Sequence, residues 1–344
     1  MVLFLDSRPR PWGEAMVKIV DVAALAGVSS ATVSRVLNGI AVREDLAVAV
    51  RQAAEELAYS PNRIARSLRR QHSDVIALIV PDIENPFFTA LARGVEDVAQ
   101  EAGFSVVLCN SDDDQLKEDR YLAIAESENM AGVIIAPASA APNLAGFIER
   151  NRSVVVVDRA VTDKVDQVVF DNIELGRRAA VDLANRGFVR IACVTGPLAT
   201  DTGNDRAAGW KRGLIESGLP APDELLLHAN FRVDGGREAM AALLALDLPP
   251  DAVLATNNLV GVGVLQVLAE NPRAENDIGV SVIGDLPFAT SSVENLSMLP
   301  LRPREMGLAA ARVLLQRIGG GSQAVLRRVL PVPAVEGPGN RLRQ

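Results

Sequence analysis

At 344 residues the chain is too long for one ordinary hydrophobic core, so two or three domains are expected. Hydrophobic residues make up 49% and charged residues 23%, and no apolar run reaches the roughly 20 residues of a membrane span, so we expect an ordered, cytoplasmic protein with no membrane partner. The net charge of −8 argues against nucleic-acid binding by the whole chain. The charge is unevenly distributed, however: residues 17–72 carry eight Lys/Arg against five Asp/Glu, whereas residues 73–344 carry 25 against 36. A small basic module therefore precedes a large acidic body, as expected for a DNA-contacting domain on a body that does not bind DNA.

The beginning of the chain predicts a helix-turn-helix. Residues 1–15, rich in proline and arginine, match no fold element, and we expect a disordered arm or a misassigned start there. Over Ile19–Ala26 apolar residues recur on one helical face, and Gly27-Val28 ends this first helix. Ser29 is a suitable N-cap for a second helix that runs to about Asn38. Two helices joined by a tight turn are a common DNA-reading unit.

The predicted second helix has an inward and an outward face. Val33, Val36 and Leu37 share the inward face, whereas the outward face carries small or polar residues, namely Ser30, Ala31, Ser34 and Arg35. In a major groove an arginine pairs with guanine edges, and short side chains admit close approach to the bases. Taken alone, the pattern fits an ordinary amphipathic surface helix equally well.

A third helix and a basic segment follow. Apolar residues from Leu46 to Leu57 have the spacing of a buried stripe, and they complete a predicted three-helix core. Tyr59-Ser60-Pro61 stops this helix, and residues 62–70 form a short basic segment before the next domain.

Short apolar runs alternate with helical patterns after residue 73, which predicts parallel sheets with right-handed crossovers. The predicted strands are Val75–Val80, Ser105–Cys109, Val133–Ala136, Val154–Val157, Val168–Phe170, Arg190–Val194, Leu225–His228, Val253–Thr256 and Val280–Ile283. That number of strands fits two doubly wound lobes better than a single sheet.

Doubly wound sheets bind ligands at the carboxyl ends of their strands. Polar side chains stand there repeatedly: Asp82, Asn85, Asn110, Asp158-Arg159, Asp171-Asn172, Thr195, Thr202–Arg206, Asn257 and Asp285. A ring of donors and acceptors suits a hydroxyl-rich ligand, although each such residue singly is more often a helix N-cap. Asp112-Asp113-Asp114 lacks the glycine and terminal glutamate of a calcium loop, so a solvated helix start is predicted there.

Several function classes have no motif in this sequence. Cys109 and Cys193 have no CxxC or Cys/His partner, and the two histidines are too few for a histidine-rich metal site, so we predict no metal and no cofactor. No nucleophile elbow or phosphate loop is present, so we do not expect an enzyme.

Four motifs lie at fixed spacing in the predicted helix-turn-helix and the basic segment that follows it: Asp21-Val22-Ala23, Ala26-Gly27-Val28-Ser29, Thr32–Asn38 and Tyr59–Leu68. This pattern resembles the LacI/PurR family of bacterial repressors, in which the second helix enters the major groove and the basic segment becomes a hinge helix on operator DNA. By position, the resemblance implies DNA contacts from Ser29, Ser30, Ala31, Thr32, Ser34, Arg35, Asn38, Asn62, Arg63, Arg66, Ser67 and Leu68. Leu68 takes the place of a leucine wedged into the central minor groove, where paired apolar side chains kink the duplex.

The resemblance extends to about Pro333 through Asn85–Phe88, Val157–Arg159, Asp171-Asn172, Gly196-Pro197, Arg206–Trp210, Thr256-Asn257 and Ser281–Asp285. It implies that Phe87 and Phe88 pack on an effector and that Asp158, Arg206, Asn257 and Asp285 hydrogen-bond it, with Asp171 and Thr202 as weaker candidates. Three positions depart from the family pattern. Asn258 stands where the family usually has aspartate. Ile283–Leu286 is shorter than the family's usual glycine-aromatic-Asp-Asp motif, and Thr200 stands where the purine repressors have arginine. The first two departures bear on the assignment of Asp285, and the third argues against a purine. The effector stays open, with a sugar or sugar acid favoured.

The implied fold is an all-α helix-turn-helix head plus an α/β periplasmic-binding-protein-like body of two doubly wound parallel-sheet lobes. The expected domains are an extension (1–15), the DNA-binding domain (16–60), a hinge (61–73), an effector-binding and dimerisation domain (74–336) and a loose tail (337–344). Within the body, lobe 1 is expected at about 74–170 and 302–323, and lobe 2 at about 171–301 and 324–336.

The implied function is a repressor that binds a pseudo-palindromic double-stranded operator as a homodimer under the control of a small-molecule effector. The alternative is a solute-binding or sensor protein without DNA activity, which the body alone would support. Residues 19–70 favour the repressor.

Overall fold

The structure, a computed structural model, describes residues 17–37, 40–59, 73–162, 164–271, 278–286, 295–321 and 324–337. The chain divides into two compact units, residues 1–71 and 72–344. No single helix in the described ranges is long and apolar enough to span a membrane. The first two helices meet that test of length and composition only when they are taken together across a bend of 103°.

The first unit contains three short helices, α1 (Ile19–Leu25), α2 (Ser30–Leu37) and α3 (Glu44–Glu56). Their shared core holds Val22, Ala23, Val33, Val50 and Ala53. The Oγ of Ser29 accepts a hydrogen bond from the Thr32 backbone N–H at 3.1 Å, so Ser29 caps α2 as predicted. Gly27, in the turn between α1 and α2, has φ +65°, a conformation that glycine adopts without a steric penalty. The predicted helix-turn-helix is therefore confirmed.

The first lobe of the second unit is a six-stranded parallel sheet in the order β11-β5-β4-β3-β1-β2. Its strands are β1 (Val75–Val80), β2 (Ser105–Asn110), β3 (Gly132–Ile135), β4 (Ser153–Asp158), β5 (Asp166–Phe170) and β11 (Arg327–Leu330). Its helices are α4 (Pro86–Glu101), α5 (Gln115–Ser127), α6 (Ala145–Glu149) and α11 (Pro303–Ile318). Apolar residues on both faces of the central strands bury the sheet between helices, as parallel sheets require.

The second lobe is a five-stranded parallel sheet in the order β10-β9-β8-β6-β7. Its strands are β6 (Ile191–Thr195), β7 (Leu226–His228), β8 (Ala252–Ala255), β9 (Gly279–Ile283) and β10 (Leu296–Leu299). Its helices are α7 (Asn172–Asn185), α8 (Asp201–Glu216), α9 (Val233–Leu244) and α10 (Asn258–Ala269). The two predicted doubly wound lobes are confirmed.

One predicted boundary is wrong. The sequence assigned residues 324–336 to the second lobe, but β11 pairs in parallel with β5 at the edge of the first sheet. The segment beyond β11 does contact the second lobe: the Arg178 Nη1 of the helix Asn172–Asn185 donates to the Val332 and Pro333 backbone oxygens, and Glu336 forms a bridge with Met298. The edge position leaves Arg327, Arg328 and Val329 exposed, so β11 lacks the apolar run from which the other strands were predicted. β10 was also missed, because it is short and alternates between buried and half-buried residues.

The helices α7 and α8 of the second lobe pack closely against each other. A Cβ on Gly176 would lie 2.1 Å from the backbone oxygen of Arg206, and a Cβ on Gly209 would lie 2.1 Å from the backbone oxygen of Ile173. Glycine at both positions therefore lets the two helix backbones touch. The backbone of Arg206 is itself part of this contact.

Candidate DNA-reading helix and effector cavity

The outward face of α2 is available to a DNA partner. Ala31 and Arg35 are exposed, and Ser30 and Ser34 are half-buried. Ser29 and Thr32 are partly committed to the helix start, because their hydroxyls lie 2.9 Å apart in a hydrogen bond in addition to the N-cap. The remaining predicted DNA contacts, Asn38, Asn62, Arg63, Arg66, Ser67 and Leu68, lie outside the described residues.

A cavity of about 180 Å³ lies between the two lobes, at the carboxyl ends of strands from both sheets. The first lobe contributes Asp82 and Asn85 beyond β1 and Asp158-Arg159 at the end of β4. The second lobe contributes Asn257 and Asn258 beyond β8, together with residues beyond β7 and β9. This is the position at which doubly wound sheets bind ligands.

Seven of the eight predicted effector residues line this cavity: Phe87, Phe88, Asp158, Thr202, Arg206, Asn257 and Asp285. The structure does not bring Asp171 to it. The Asp171 carboxylate instead accepts a hydrogen bond from the Glu174 backbone N–H at 3.0 Å and caps α7. Sequence position alone does not separate a capping aspartate from a ligand-binding one, because both stand just after a strand.

Arg206 is the most buried cation of the cavity wall, with 4% of its surface exposed. Its Nε donates to the Asn172 Oδ1 at 2.9 Å, and its Nη1 donates to the Thr256 backbone oxygen at 2.7 Å. These two bonds hold the guanidinium in one orientation. Burial lowers the Arg206 pKa, and the neighbouring Asp158 opposes that shift.

Asp158 faces Arg206 from the other lobe. It is 7% exposed and has φ +63°, so the chain makes a left-handed turn at the end of β4. Burial raises the pKa of Asp158, whereas Arg206 and Arg159 act to lower it. A buried acid and a buried cation on opposite walls can together bind hydroxyl groups of one ligand.

The aromatic side chains form two parts of the cavity. Phe87 and Phe88 pack edge to face, with ring centroids 5.0 Å apart, and Phe88 also belongs to the first lobe's core. Phe231, which no sequence pattern identified, enters from the second lobe three residues beyond β7. Its backbone oxygen accepts a hydrogen bond from the Asn257 Nδ2 at 3.0 Å, while the Asn257 Oδ1 caps α10.

Polar contacts cross directly from one lobe to the other. The Asn258 Nδ2 donates to the Asn85 Oδ1 at 3.0 Å, and both residues are buried. An Arg232 nitrogen lies 4.0 Å from an Asp82 oxygen. The sequence showed Asn258 only as a departure from the family pattern, and it did not identify Arg232 as part of the site.

Asp113 also lines the cavity, which the prediction of a solvated helix start did not include. The neighbouring Asp114 caps α5, in agreement with a helix start at this point. Asp113 itself has φ +57° and accepts a hydrogen bond from the Arg159 Nη1 at 2.5 Å. The fourth acid, Asp285, keeps part of its surface exposed, but partial desolvation of its carboxyl group, and after it the nearby Glu336, raises its pKa.

Comparison with known proteins agrees with both units. Residues 18–62 match the family described as bacterial regulatory proteins, lacI family. Residues 73–333 match the family described as periplasmic binding proteins and sugar binding domain of LacI family. The ribose operon repressor of Escherichia coli K12 is 33% identical over 308 residues, which cover 88% of this chain and 93% of that protein.

Two solved structures have the same fold. The transcriptional regulator CelR in complex with cellobiose is 29% identical with a TM-score of 0.69, and the match covers 93% of this chain and 98% of CelR. The lac repressor dimer bound to operator and the anti-inducer ONPF is 23% identical with a TM-score of 0.78, and the match covers 94% of this chain and 98% of that one. The chain therefore belongs to the LacI family: it is a bacterial DNA-binding transcriptional regulator with an effector-binding domain, acts in the cytoplasm and is not an enzyme.

Proposed function

We propose that this regulator is a repressor that binds a pseudo-palindromic operator as a homodimer, and that a sugar or sugar acid bound in the inter-lobe cavity controls its DNA affinity. The observation that carries the proposal is the composition of the cavity wall. Asp158 comes from one lobe, Arg206 and Asn257 come from the other, and aromatic rings stand beside them. Acids, amides and aromatic faces in one enclosed site suit a ligand with many hydroxyl groups.

The ligand would act by joining the lobes. A molecule that contacts both walls favours the inter-lobe angle at which all its hydrogen bonds form, and it shifts the equilibrium by its difference in affinity for the two angles. In a dimer that angle would set the distance between the two reading helices. DNA affinity would then depend on ligand concentration.

Two features support a sugar over a purine. CelR, which shares the fold over 93% of this chain, was solved with cellobiose. Thr200, which stands where purine repressors have arginine, donates its hydroxyl to the Pro197 backbone oxygen at 2.8 Å. It is not among the described residues that line the cavity.

The ligand claim is tested by thermal unfolding with a panel of sugars and sugar acids, using the intact protein and Arg206→Ala. We expect a saturable rise in Tm for one ligand class and at least about tenfold weaker apparent affinity in the variant. Arg212→Ala is the matched control, because Arg212 lies on the same helix but is exposed and pairs with Glu216. Equal responses in Arg206→Ala and Arg212→Ala would contradict the proposed site.

The DNA claim is tested by gel shift on the region upstream of the regulator's own operon. We expect salt-sensitive, sequence-preferring binding. Arg35→Ala should weaken this binding and reduce the preference for one base pair of the operator. Leu68→Ala should weaken binding to the operator far more than binding to non-specific DNA. Arg51→Ala is the control, because Arg51 lies on α3 and pairs with Glu44. A ligand response without any operator binding would instead favour a sensor without DNA activity.

A further inference from the structure

Each arginine of the cavity wall has an acidic counterpart, and one further aspartate is left over. Among the described lining residues there are three arginines and four aspartates. The Arg159 Nη1 donates to Asp113, Arg232 lies 4.0 Å from Asp82, and Arg206 interacts electrostatically with Asp158. Asp285 has no arginine of its own in this set. These residues together carry a formal charge of −1 and no arginine without an acidic counterpart.

The pair formed by Arg159 and Asp113 is built into the wall. Arg159 has 5% of its surface exposed, and its Nη1 also donates to the Pro137 backbone oxygen at 2.9 Å. Its Nε is buried with no hydrogen-bond partner among the described residues. A guanidinium in this position would attract any anion in the cavity unless a fixed carboxylate neutralised it.

The backbone holds that carboxylate in place at some conformational cost. Asp112 and Asp113 have φ +55° and φ +57°, two consecutive left-handed residues that are not glycine. Aspartate and asparagine tolerate this conformation better than most residues, but a pair of them in sequence is uncommon. The turn delivers Asp113 to Arg159, whereas Asp112 turns outward and pairs with Lys117.

We infer that Asp113 is a specificity-determining residue that neutralises Arg159 and thereby makes the cavity select uncharged, hydroxyl-rich ligands over carboxylate- or phosphate-bearing ones. The inference rests on the proposed effector site, and it narrows the choice between sugars and sugar acids. An anion entering the cavity meets Asp82, Asp113, Asp158 and Asp285, and it finds each arginine already opposed by an acid. Like charges placed together disfavour binding, which is how a site rejects the wrong ligand.

The experiment compares the intact protein with Asp113→Asn. Asparagine keeps the hydrogen-bond acceptor and tolerates the left-handed backbone, so the substitution removes mainly the charge. Asp112→Asn is the matched control, because it makes the same change one residue away at a side chain that is not among the lining residues. The double variant Asp113→Asn/Arg159→Gln removes both charges.

Thermal unfolding is followed with inorganic phosphate at constant ionic strength, and with matched pairs: D-ribose and D-ribonate, cellobiose and cellobionate, and D-galactose and D-galacturonate. We expect the intact protein to respond only to the uncharged member of a pair. Asp113→Asn should bind phosphate and the acid member at least about tenfold more tightly than the intact protein, and the double variant should lose this gain. If Asp113→Asn does not fold in chloride, its refolding yield is measured against phosphate concentration.

Two results would overturn the inference. The first is an acid that stabilises the intact protein as strongly as its uncharged counterpart. The second is an Asp113→Asn protein whose phosphate response, or refolding yield with phosphate, equals that of Asp112→Asn. If no sugar of either kind stabilises the intact protein, the proposed effector class fails, and the phosphate comparison still decides the role of Asp113.

Discussion

The Asn258 Nδ2 donates a hydrogen bond to the Asn85 Oδ1 at 3.0 Å and joins the two lobes beside the cavity. The same Asn85 oxygen accepts from the Phe87 backbone N–H at 2.9 Å, where it caps α4. One buried oxygen therefore connects the inter-lobe contact to the start of the helix that carries Phe87 and Phe88. An aspartate at position 258, the usual family residue, would offer an acceptor where this oxygen needs a donor.

Asn258→Asp should weaken ligand binding with little effect on the folding of either lobe. Two acceptors would face each other in a buried contact, which costs about 1–3 kcal/mol and corresponds to roughly tenfold or more in apparent ligand affinity. The measurement is ligand-dependent thermal unfolding, together with the free energy of unfolding without ligand. Asn204→Asp makes the same change at an exposed amide that bonds the Leu198 oxygen within one lobe, and it should leave ligand affinity unchanged.

Glu118 should make the protein less stable as the pH rises towards neutrality. It is fully buried on α5, its Oε2 accepts from the Ala138 N–H at 2.7 Å, and burial raises its pKa from 4.5 to about 7. Below pH 4.5 both the folded and unfolded states hold the proton. Between pH 4.5 and about 7 only the unfolded state releases it, so the free energy of unfolding falls by up to about 3 kcal/mol.

Glu118→Gln should remove this dependence. Relative to the unmodified protein, it should gain stability at pH 8 and differ little near pH 4.5, as measured by denaturant unfolding across that range. Glu101→Gln, at an exposed position, is the control and should leave the slope unchanged. A Glu118→Gln protein with the parent's pH dependence would show that Glu118 is ionised in the folded state.

Glu174 on α7 should have the opposite effect. Its carboxylate accepts hydrogen bonds from the Arg177 Nε at 2.6 Å and the Arg178 Nε at 2.7 Å. These two arginines lower the pKa of Glu174 to about 2. The stabilisation is complete above the unfolded pKa of 4.5 and is lost as the pH falls towards 2. Because the group is partly exposed, the effect should be about 1 kcal/mol. Glu174→Gln should therefore lower the free energy of unfolding at pH 7 but not at pH 2, a pattern that acid titration of unfolding would detect.

The apolar runs of the sequence predicted nine of the eleven strands that the structure describes, because central parallel strands are buried on both faces. β11 was missed because an edge strand can begin Arg327-Arg328 and remain exposed. Position after a strand, read with the family resemblance, identified Arg206 and Asp158. It could not identify Phe231 or Asp113, since both reach the cavity through loop conformations that tertiary packing and left-handed residues determine.

Two residues stood out in the sequence although their structural roles could not be predicted from it, namely Asn258 and Asp171. Asn258 was recognised as a departure from the family, but its consequence depends on meeting Asn85, 173 residues away in the chain. Asp171 had the same local signal as Asp158, and only the three-dimensional path of α7 shows that its carboxylate caps a helix.

Gly176→Ala should separate α7 from α8 and displace Arg206. The added Cβ would lie 2.1 Å from the Arg206 backbone oxygen. The three atoms nearest to it all belong to the backbone of Arg206 and Trp210, so no flexible side chain can move aside to make room. We expect a loss of about 1–3 kcal/mol in the free energy of unfolding, and a larger proportional loss of ligand affinity because the guanidinium shifts with its helix. Gly319→Ala, where the nearest atom would be 3.4 Å away and φ is −73°, is the control and should be neutral or slightly stabilising. If Gly176→Ala loses stability but binds ligand as the parent does, the position of Arg206 does not depend on this helix contact, whereas loss of both would support it.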